Sequence, residues 1–129
     1  MKYLLMIYTS EALENAMPPA EMGALMQAYG AYTDALVKAG ALQSGERLRP
    51  VTDATAVRVR NGKSEVLNGP YADTREQLGG YYVIDVPDLD AALQWAARCP
   101  SSTIGTIEVR PIWRCEPARA RSRPGPARG

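Results

Sequence analysis

Residues 2–8 read KYLLMIY, and this apolar run decides the fold of the chain. The residues are typical of a β-strand, and Thr9 and Ser10 end the run. Apolar side chains stand at both odd and even positions, whereas a strand with one wet face alternates apolar and polar residues. The run therefore predicts a strand that is covered on both faces.

Two helices are predicted from apolar residues at helical spacing. Residues 20–39 place such residues on one stripe, and Gly40 suits the position just after the last turn. Residues 89–98 repeat the pattern after Asp88, which opens the second helix, and Pro100 ends it. We expect both helices to bury one face against a sheet.

The remaining segments read as strands and include a hairpin. Asn61-Gly62 separates two of them, and this pair is a strong hairpin signal because both turn residues need a positive φ. The strand-like segments are 41–48, 55–60, 63–67, 81–86 and 105–113. The order predicts an α+β protein of the split βαβ type, an antiparallel sheet with two helices on one face and an inserted hairpin. The other face needs a cover, so we expect a second copy to pack there in a homodimer.

Composition excludes several classes of function. The 129 residues suffice for one domain and include no His, which excludes His-based triads and HExxH zinc sites. Cys99 and Cys115 are too few for a four-cysteine metal site, so no metal or cofactor is expected. No apolar run approaches the roughly 18 residues of a membrane span, and no secretory signal is recognisable. We expect a cytoplasmic protein without membrane contact.

Charge is divided unevenly along the chain. Residues 1–113 hold ten Lys/Arg and thirteen Asp/Glu, a formal charge of −3, whereas residues 114–129 carry +4. The first part has no basic face that would predict direct binding of nucleic acid. The second is rich in Arg, Pro, Ala and Gly without apolar periodicity. We therefore expect one folded domain over 1–113 and a disordered tail over 114–129.

The segment 68–77 concentrates polar side chains in a turn-rich loop, and two interpretations of it stay open. In the first, the loop frames a pocket and presents Asp73, Arg75 or Glu76 to a ligand. In the second, the loop satisfies its own polar groups. Asp73 or Thr74 then caps a short helical turn, and Arg75 pairs with a carboxylate.

Charged residues on two strands are further candidates. Glu108 and Arg110 share one face of the last strand, on the side where the second copy is expected. They form either a polar pocket in which Arg110 binds an anion, or a salt bridge at the interface. Glu46 lies beside Gly45 in a tyrosine-rich surrounding. It is either a general base or the partner of a nearby arginine.

Four segments together resemble the YCII-related (DGPF-domain) family. In this sequence they read NGPYADTREQLGGYY at 68–82, MKYLLMIY at 1–8, GERL at 45–48 and EVRP at 108–111. The resemblance covers nearly all of residues 1–113. It implies a ferredoxin-like dimeric α/β barrel, in which two sheets face each other across a homodimer.

The resemblance also carries expectations about function. Members are bacterial and mostly uncharacterised, and many are encoded beside extracytoplasmic-function sigma factors, which implies association with a transcription regulator in a stress response. Some relatives in the wider superfamily are suspected enzymes with a His–Asp pair. This chain departs from the pattern: Asn68 stands at the first Asp of the signature, and Tyr71 stands at its Phe. Asn cannot act as an acid or a base.

Two classes of function follow from these observations. In the first, a homodimer binds a small molecule in a pocket between the sheets or framed by the loop 68–77, as an accessory to the stress response. The ligand-binding candidates are Tyr8, Asn68, Gly69, Pro70, Tyr71, Arg75, Gln77, Glu108 and Arg110. In the second, the chain is a small cofactor-free enzyme, such as a lyase, an isomerase or a monooxygenase-like catalyst. The acid/base candidates are Glu46, Asp73 and Glu76.

Overall fold

A computed structural model describes residues 1–113 of the chain. Both the predicted disordered tail, residues 114–129, and Cys115 lie outside the described residues. The strands are β1 (Lys2–Thr9), β2 (Leu42–Arg47), β3 (Thr55–Arg60), β4 (Lys63–Asn68), β5 (Gln77–Asp85) and β6 (Thr106–Pro111). The helices are α1 (Glu11–Asn15), α2 (Pro19–Lys38) and α3 (Leu89–Arg98). Single 3₁₀ turns lie at Val51–Asp53 and Pro100–Thr103.

Four strands form one antiparallel sheet in the order β2-β5-β1-β6. The central pair is β1 and β5, where Leu5 lies opposite Tyr82. On the other side of β1, Leu5 lies opposite Val109 of β6. The predicted α+β architecture with an antiparallel sheet is confirmed. The sheet of the single chain is open, and its closure into a dimeric barrel stays a prediction.

Local signals explain where the two long helices begin and end. Pro19 occupies the first position of α2, and Gly40 follows the helix with φ of +71°, a conformation that glycine adopts without strain. Asp88 caps α3, since its carboxylate accepts a hydrogen bond of 2.9 Å from the Ala91 N–H. Both predicted helices are confirmed. The short helix α1 was not predicted; Ser10 caps it by accepting from the Leu13 N–H at 3.2 Å.

The core lies on one face of the main sheet, which we call the inner face. Odd-numbered residues of β1 point to this face and are buried, and Leu5 has no exposed surface. The apolar ones pack in one cluster with Tyr32 and Leu36 of α2 and Ala92 of α3. Both α2 and α3 therefore cover the same face, as the sequence predicted.

The opposite face of the main sheet, which we call the open face, is only partly covered. It carries the even-numbered residues of β1 and the residues paired with them on the other strands. Its members are Leu4, Met6, Tyr8, Glu46, Tyr81, Val83, Glu108 and Arg110. The apolar members are half-exposed in the single chain. The expectation that β1 is covered on both faces is therefore met on one face only within this chain.

The predicted hairpin forms a separate two-stranded sheet of β3 and β4. Asn61 and Gly62 have φ values of +54° and +76°, the signs of the expected type I′ turn. Arg58 is exposed and pairs with Glu65 at 2.9 Å.

The helices within residues 1–113 are all too short or too polar to cross a lipid bilayer.

Candidate functional site

Two hollows lie back to back at the end of β1, because successive side chains of a strand point to opposite faces. Tyr8 and Ser10 line a groove of about 1010 Å³ on the open face. Ile7 and Thr9 line a cavity of about 680 Å³ on the inner face, beneath the helices. We call these the groove and the inner cavity.

The groove is built from β1, the start of β6 and the second half of the loop 68–77. Tyr8 lies opposite Thr106, and a side chain at Gly105 would overlap the Tyr8 carbonyl oxygen. Glycine at that position therefore lets β6 start close beside β1. The groove is lined by Tyr8, Ser10, Leu13, Thr74, Arg75, Glu76, Thr106 and Glu108. Four of the predicted site residues thus meet here: Tyr8, Arg75, Glu76 and Glu108.

Hydrogen bonds fix the loop at its groove end. The Thr74 hydroxyl donates to the Glu76 carbonyl oxygen, and the Gln77 amide donates to the Thr74 carbonyl oxygen at 2.6 Å. The side-chain oxygen of Gln77 accepts from the Glu11 N–H at 2.8 Å. Gln77 therefore ties the loop to α1 and does not line the groove. The Thr74 hydroxyl is thus hydrogen-bonded within the loop, as the second interpretation predicted. No helical turn forms there for Thr74 to cap.

The first half of the loop lies away from the groove. Asn68 ends β4 opposite Thr55, and the Gly69 N–H donates to the Ala54 carbonyl oxygen at 2.7 Å. Gly69 has φ of +118°, which turns the chain out of the hairpin. Pro70 is half-buried, whereas Tyr71 is 83% exposed. These predicted ligand-binding residues join the loop to the hairpin and do not line the groove.

Three further candidates are exposed and lie outside the groove. Glu46 stands on β2 opposite Tyr81, at the far edge of the sheet from Glu108, and it lines the inner cavity. Asp73 is exposed in the loop, and Arg110 lies on β6 opposite Leu4. The structure therefore does not gather the three acid/base candidates, because only Glu76 lines the groove.

The charges around the groove have no partners within residues 1–113. The ion pairs of this part of the chain join Met1 to Asp85, Arg49 to Asp53 and Arg58 to Glu65. None of them includes Arg75, Glu76, Glu108 or Arg110. The predicted pairing of Arg75 with a carboxylate is therefore absent from the described single chain. As far as residues 1–113 are concerned, its guanidinium is available to an anion or a partner molecule.

Sequence reasoning missed the inner cavity, which lies between α2 and strands β2 and β5. Its wall contains two hydroxyl pairs: Tyr29 donates to Ser101 at 2.6 Å, and Thr33 lies 2.7 Å from the Tyr82 hydroxyl. Burial raises the pKa values of Tyr29 and Tyr82 above the ordinary value of tyrosine, so both phenols stay protonated at neutral pH. The doublet Gly79-Gly80 lies in the floor of this cavity, and the candidate Glu46 beside Gly45 lies in its lining, although neither signal predicted a cavity.

Metal binding finds no support in the geometry. Among residues 1–113, no three Cys, Asp or Glu side chains converge closely enough to hold a metal ion. Cys99 is a buried free thiol, and burial raises its pKa. The groove can therefore act through its charges and hydrogen bonds, and the inner cavity through apolar contact and hydroxyl groups.

Comparison with known proteins gives consistent matches. A sequence profile of the YCII-related domain matches residues 1–116. An uncharacterised protein of Rhizobium meliloti (strain 1021) is 36% identical over 114 residues, which make up 87% of this chain and 92% of that protein. The profile match spans every residue of the groove.

Proposed function

Since this chain belongs to the YCII-related domain family, we propose that it is a homodimer that binds a small polar molecule in the groove. The observation that carries the proposal is the meeting of Tyr8, Arg75, Glu76 and Glu108 in one hollow at the edge of the open face. A second copy on the open face would wall the groove and turn it into an enclosed pocket.

The open face supports the dimer. Leu4, Met6, Tyr81 and Val83 form an apolar strip along its two central strands, and each is half-exposed. Contiguous apolar surface of this kind is typical of an interaction site. A two-fold contact would place the same strip against itself, which is the commonest form of a homodimer interface.

The charges of the groove define the ligand class. Arg75 offers a planar guanidinium that can hold a carboxylate or a phosphate by two hydrogen bonds. Glu76 and Glu108 accept hydrogen bonds from ammonium or hydroxyl groups. The groove therefore suits a small molecule that combines an acidic group with N–H or O–H donors.

Binding fits the groove better than catalysis does. Glu46 and Asp73 are exposed and lie outside the groove, so two of the three acid/base candidates would not reach a ligand there. A general base must lie within hydrogen-bond reach of the proton it takes. Of these three candidates only Glu76 lines the groove, together with Tyr8, Arg75 and Glu108.

The proposal has a cellular part that rests on the family resemblance. We propose a cytoplasmic accessory role beside a sigma factor of the stress response. Affinity purification of the full chain from its native host tests this part. Enrichment of a sigma factor supports it, and recovery of the chain without one contradicts it.

Sedimentation velocity of the full chain tests the dimer. The wild type should sediment as a species of twice 14.0 kDa at micromolar concentration. Leu4→Asp puts a charge into the apolar strip and should shift the protein to the monomer. Leu93→Asp is the matched control, because Leu93 is a half-exposed leucine on α3. A monomeric wild type, or equal dissociation by both variants, contradicts the proposal.

Nuclear magnetic resonance titration tests the groove. The probes are glycine, its amine counterpart methylamine and its acid counterpart acetate. Glycine should shift the amide resonances of Thr74–Glu76 and bind more tightly than either counterpart. Arg75→Ala should weaken glycine binding about tenfold or more, as expected for a lost charged hydrogen bond. Arg58→Ala, an exposed arginine of the hairpin, should leave the binding unchanged, and equal effects of the two variants contradict the proposal.

A further inference from the structure

The inner cavity is a built hollow beneath the helices, separate from the groove. Its volume of about 680 Å³ lies within the range of roughly 300–1,000 Å³ typical of small-molecule sites. Apolar side chains of Ile7, Leu42, Met22 and Met26 face tyrosine rings across it. The β1 backbone separates it from the groove, so the two hollows can be tested independently.

Glycines leave the floor of the inner cavity bare. A Cβ added at Gly79 would meet nothing nearer than 3.9 Å, where it would face the Ile7 carbonyl oxygen and the Thr9 hydroxyl. Gly79 has no positive φ, so its backbone conformation does not demand glycine. A Cβ at Gly45 would lie 2.7 Å from the Tyr82 ring, so glycine there lets that ring lie against the strand. The space above Gly79 is therefore room that a side chain could fill.

One buried polar side chain in the wall of the inner cavity has no hydrogen-bond partner among residues 1–113. Thr9 is only 4% exposed and lines the cavity. Within residues 1–113 its hydroxyl makes no hydrogen bond, whereas the hydroxyls of Tyr29 and Tyr82 are paired with Ser101 and Thr33. A buried hydroxyl without a partner is costly, by about 1–3 kcal/mol in general. The Thr9 hydroxyl therefore needs a partner inside the cavity.

Flexible side chains border the opening of the inner cavity. Met22 and Met26 stand on α2, and Arg47 reaches across from β2, with its guanidinium donating to the Met26 sulfur at 3.7 Å. Methionine adapts its shape to different occupants because it is unbranched and polarizable. Each of these side chains can move aside without disturbing the core.

We propose that the inner cavity binds an uncharged aromatic compound with one hydroxyl or carbonyl group, the ring between the tyrosines and methionines and the polar group on Thr9. This site goes beyond the proposed groove function, because it lies on the other face of the sheet and needs no second copy. The interior wall offers hydroxyls and apolar surface. Five charged residues also line the cavity: Glu11 and Glu14 of α1 are half-buried, and Glu46, Arg47 and Arg49 are exposed. The half-buried carboxylates of Glu11 and Glu14 disfavour a ligand that carries a negative charge.

Titration of the full chain with p-cresol tests the proposal by NMR. The amide resonances of Gly79, Tyr82 and Ser101 should shift, whereas those of Thr74–Glu76 in the groove should not. Toluene should bind at the same place, with about two- to tenfold lower affinity, the range of one neutral hydrogen bond. 4-Methylbenzoate should bind more weakly than p-cresol.

Two variants complete the test. Thr9→Val keeps the shape and removes the hydroxyl, so it should remove the advantage of p-cresol over toluene. Gly79→Val fills the floor and should abolish the binding of both compounds, and Gly79→Ala replaces it if the larger variant does not fold. Arg75→Ala, which belongs to the groove, should change neither affinity. The proposal is overturned if p-cresol shifts no cavity resonance, if 4-methylbenzoate binds more tightly, or if Thr9→Val leaves the preference for p-cresol intact.

Discussion

The two faces of the main sheet are made from the same strands and differ in almost every physical property. On the inner face, Leu5 and Ile84 have no exposed surface and pack under two helices. On the open face, the neighbouring Leu4 and Val83 are half-exposed, and charged residues flank them. The alternation of β1 and β5 therefore separates the part of the molecule that holds the fold from the part available for association.

The comparison also separates two kinds of polar chemistry. On the inner face, the hydroxyls of Tyr29 and Tyr82 pair with those of Ser101 and Thr33, and Tyr32 donates to the Trp95 carbonyl oxygen at 2.7 Å. Charges on the open face, such as Arg75 and Glu108, have no ion-pair partner in the described part of the chain. A buried pair of this type stabilises one arrangement, whereas an unpaired surface charge is available to a ligand.

The largest expected contrast is between two adjacent leucines of β1. Leu5→Ala leaves a cavity in the closed inner core and should lower the free energy of unfolding by about 2–5 kcal/mol. Leu4→Ala removes half-exposed surface from the open face and should cost less than about 1.5 kcal/mol in the monomer. Urea denaturation of both variants measures the difference.

Dimerisation would also make the stability loss of one of these two variants depend on protein concentration. If the open face is an interface, the loss caused by Leu4→Ala should grow with protein concentration, while that of Leu5→Ala should not. If both variants lost the same free energy of unfolding at low protein concentration, the two faces would not differ in their contribution to the fold.

The buried tyrosines predict loss of stability at alkaline pH. Burial away from water raises the pKa values of Tyr29 and Tyr32 above those of the unfolded chain. Their contribution to the free energy of unfolding is complete below about pH 10, the ordinary pKa of tyrosine. Above it the unfolded chain releases protons that the folded protein keeps, so the contribution falls as pH rises towards the folded pKa. Each such tyrosine accounts for up to about 1.4 kcal/mol per pH unit.

Tyr32→Phe isolates one of these contributions. The variant should show a shallower decline of unfolding free energy between pH 10 and 11 than the wild type, although it starts from a lower value because the hydrogen bond to Trp95 is gone. Urea denaturation at a series of pH values measures the slopes. Identical slopes would mean that the Tyr32 phenol is not shielded on the inner face.

Local signals made most of the fold predictable. Asn61-Gly62, Gly40 and Asp88 each act within a few residues, and the structure places the predicted hairpin turn, helix stop and helix cap there. The strand β5 begins at Gln77, four residues before its predicted start at Tyr81, because the added residues pair through their backbones and carry no strand-like apolar pattern. The helix α1 has only 5 residues and buries none of them, so the sequence contains no apolar stripe that would predict it.

The hollows were harder to predict, since each depends on contacts between distant segments. Tyr8 and Glu108 meet because β6 returns beside β1, and the shared face of Glu108 and Arg110 was readable from alternation alone. The placement of Asn68 beside the hairpin was not readable, because Gly69 turns the chain away from the groove. The inner cavity depends on glycines whose neighbours come from other strands, so local pattern could not define it.

A smaller contrast is expected between two helix caps. Asp88→Ala removes the cap of α3, which packs on the inner face, and should cost about 1 kcal/mol. Ser10→Ala removes the cap of α1, which buries no residue, so its local unfolding should cost the rest of the fold less. Thermal unfolding followed by circular dichroism compares the two. A larger loss for Ser10→Ala would show that the groove side contributes more to stability than its packing indicates.

The smallest expected effect concerns Tyr8, which borders the groove. Its hydroxyl lies 4.0 Å from the Met6 sulfur, a weak contact, whereas the Tyr32 hydroxyl on the inner face makes a short bond to a carbonyl oxygen. Tyr8→Phe should therefore change the free energy of unfolding by less than about 0.5 kcal/mol, the usual range for a surface substitution. Urea denaturation measures this change, and the glycine titration measures its effect on binding. A loss of stability as large as that of Tyr32→Phe would make Tyr8 part of the core, and the open face would then no longer be separable from the fold.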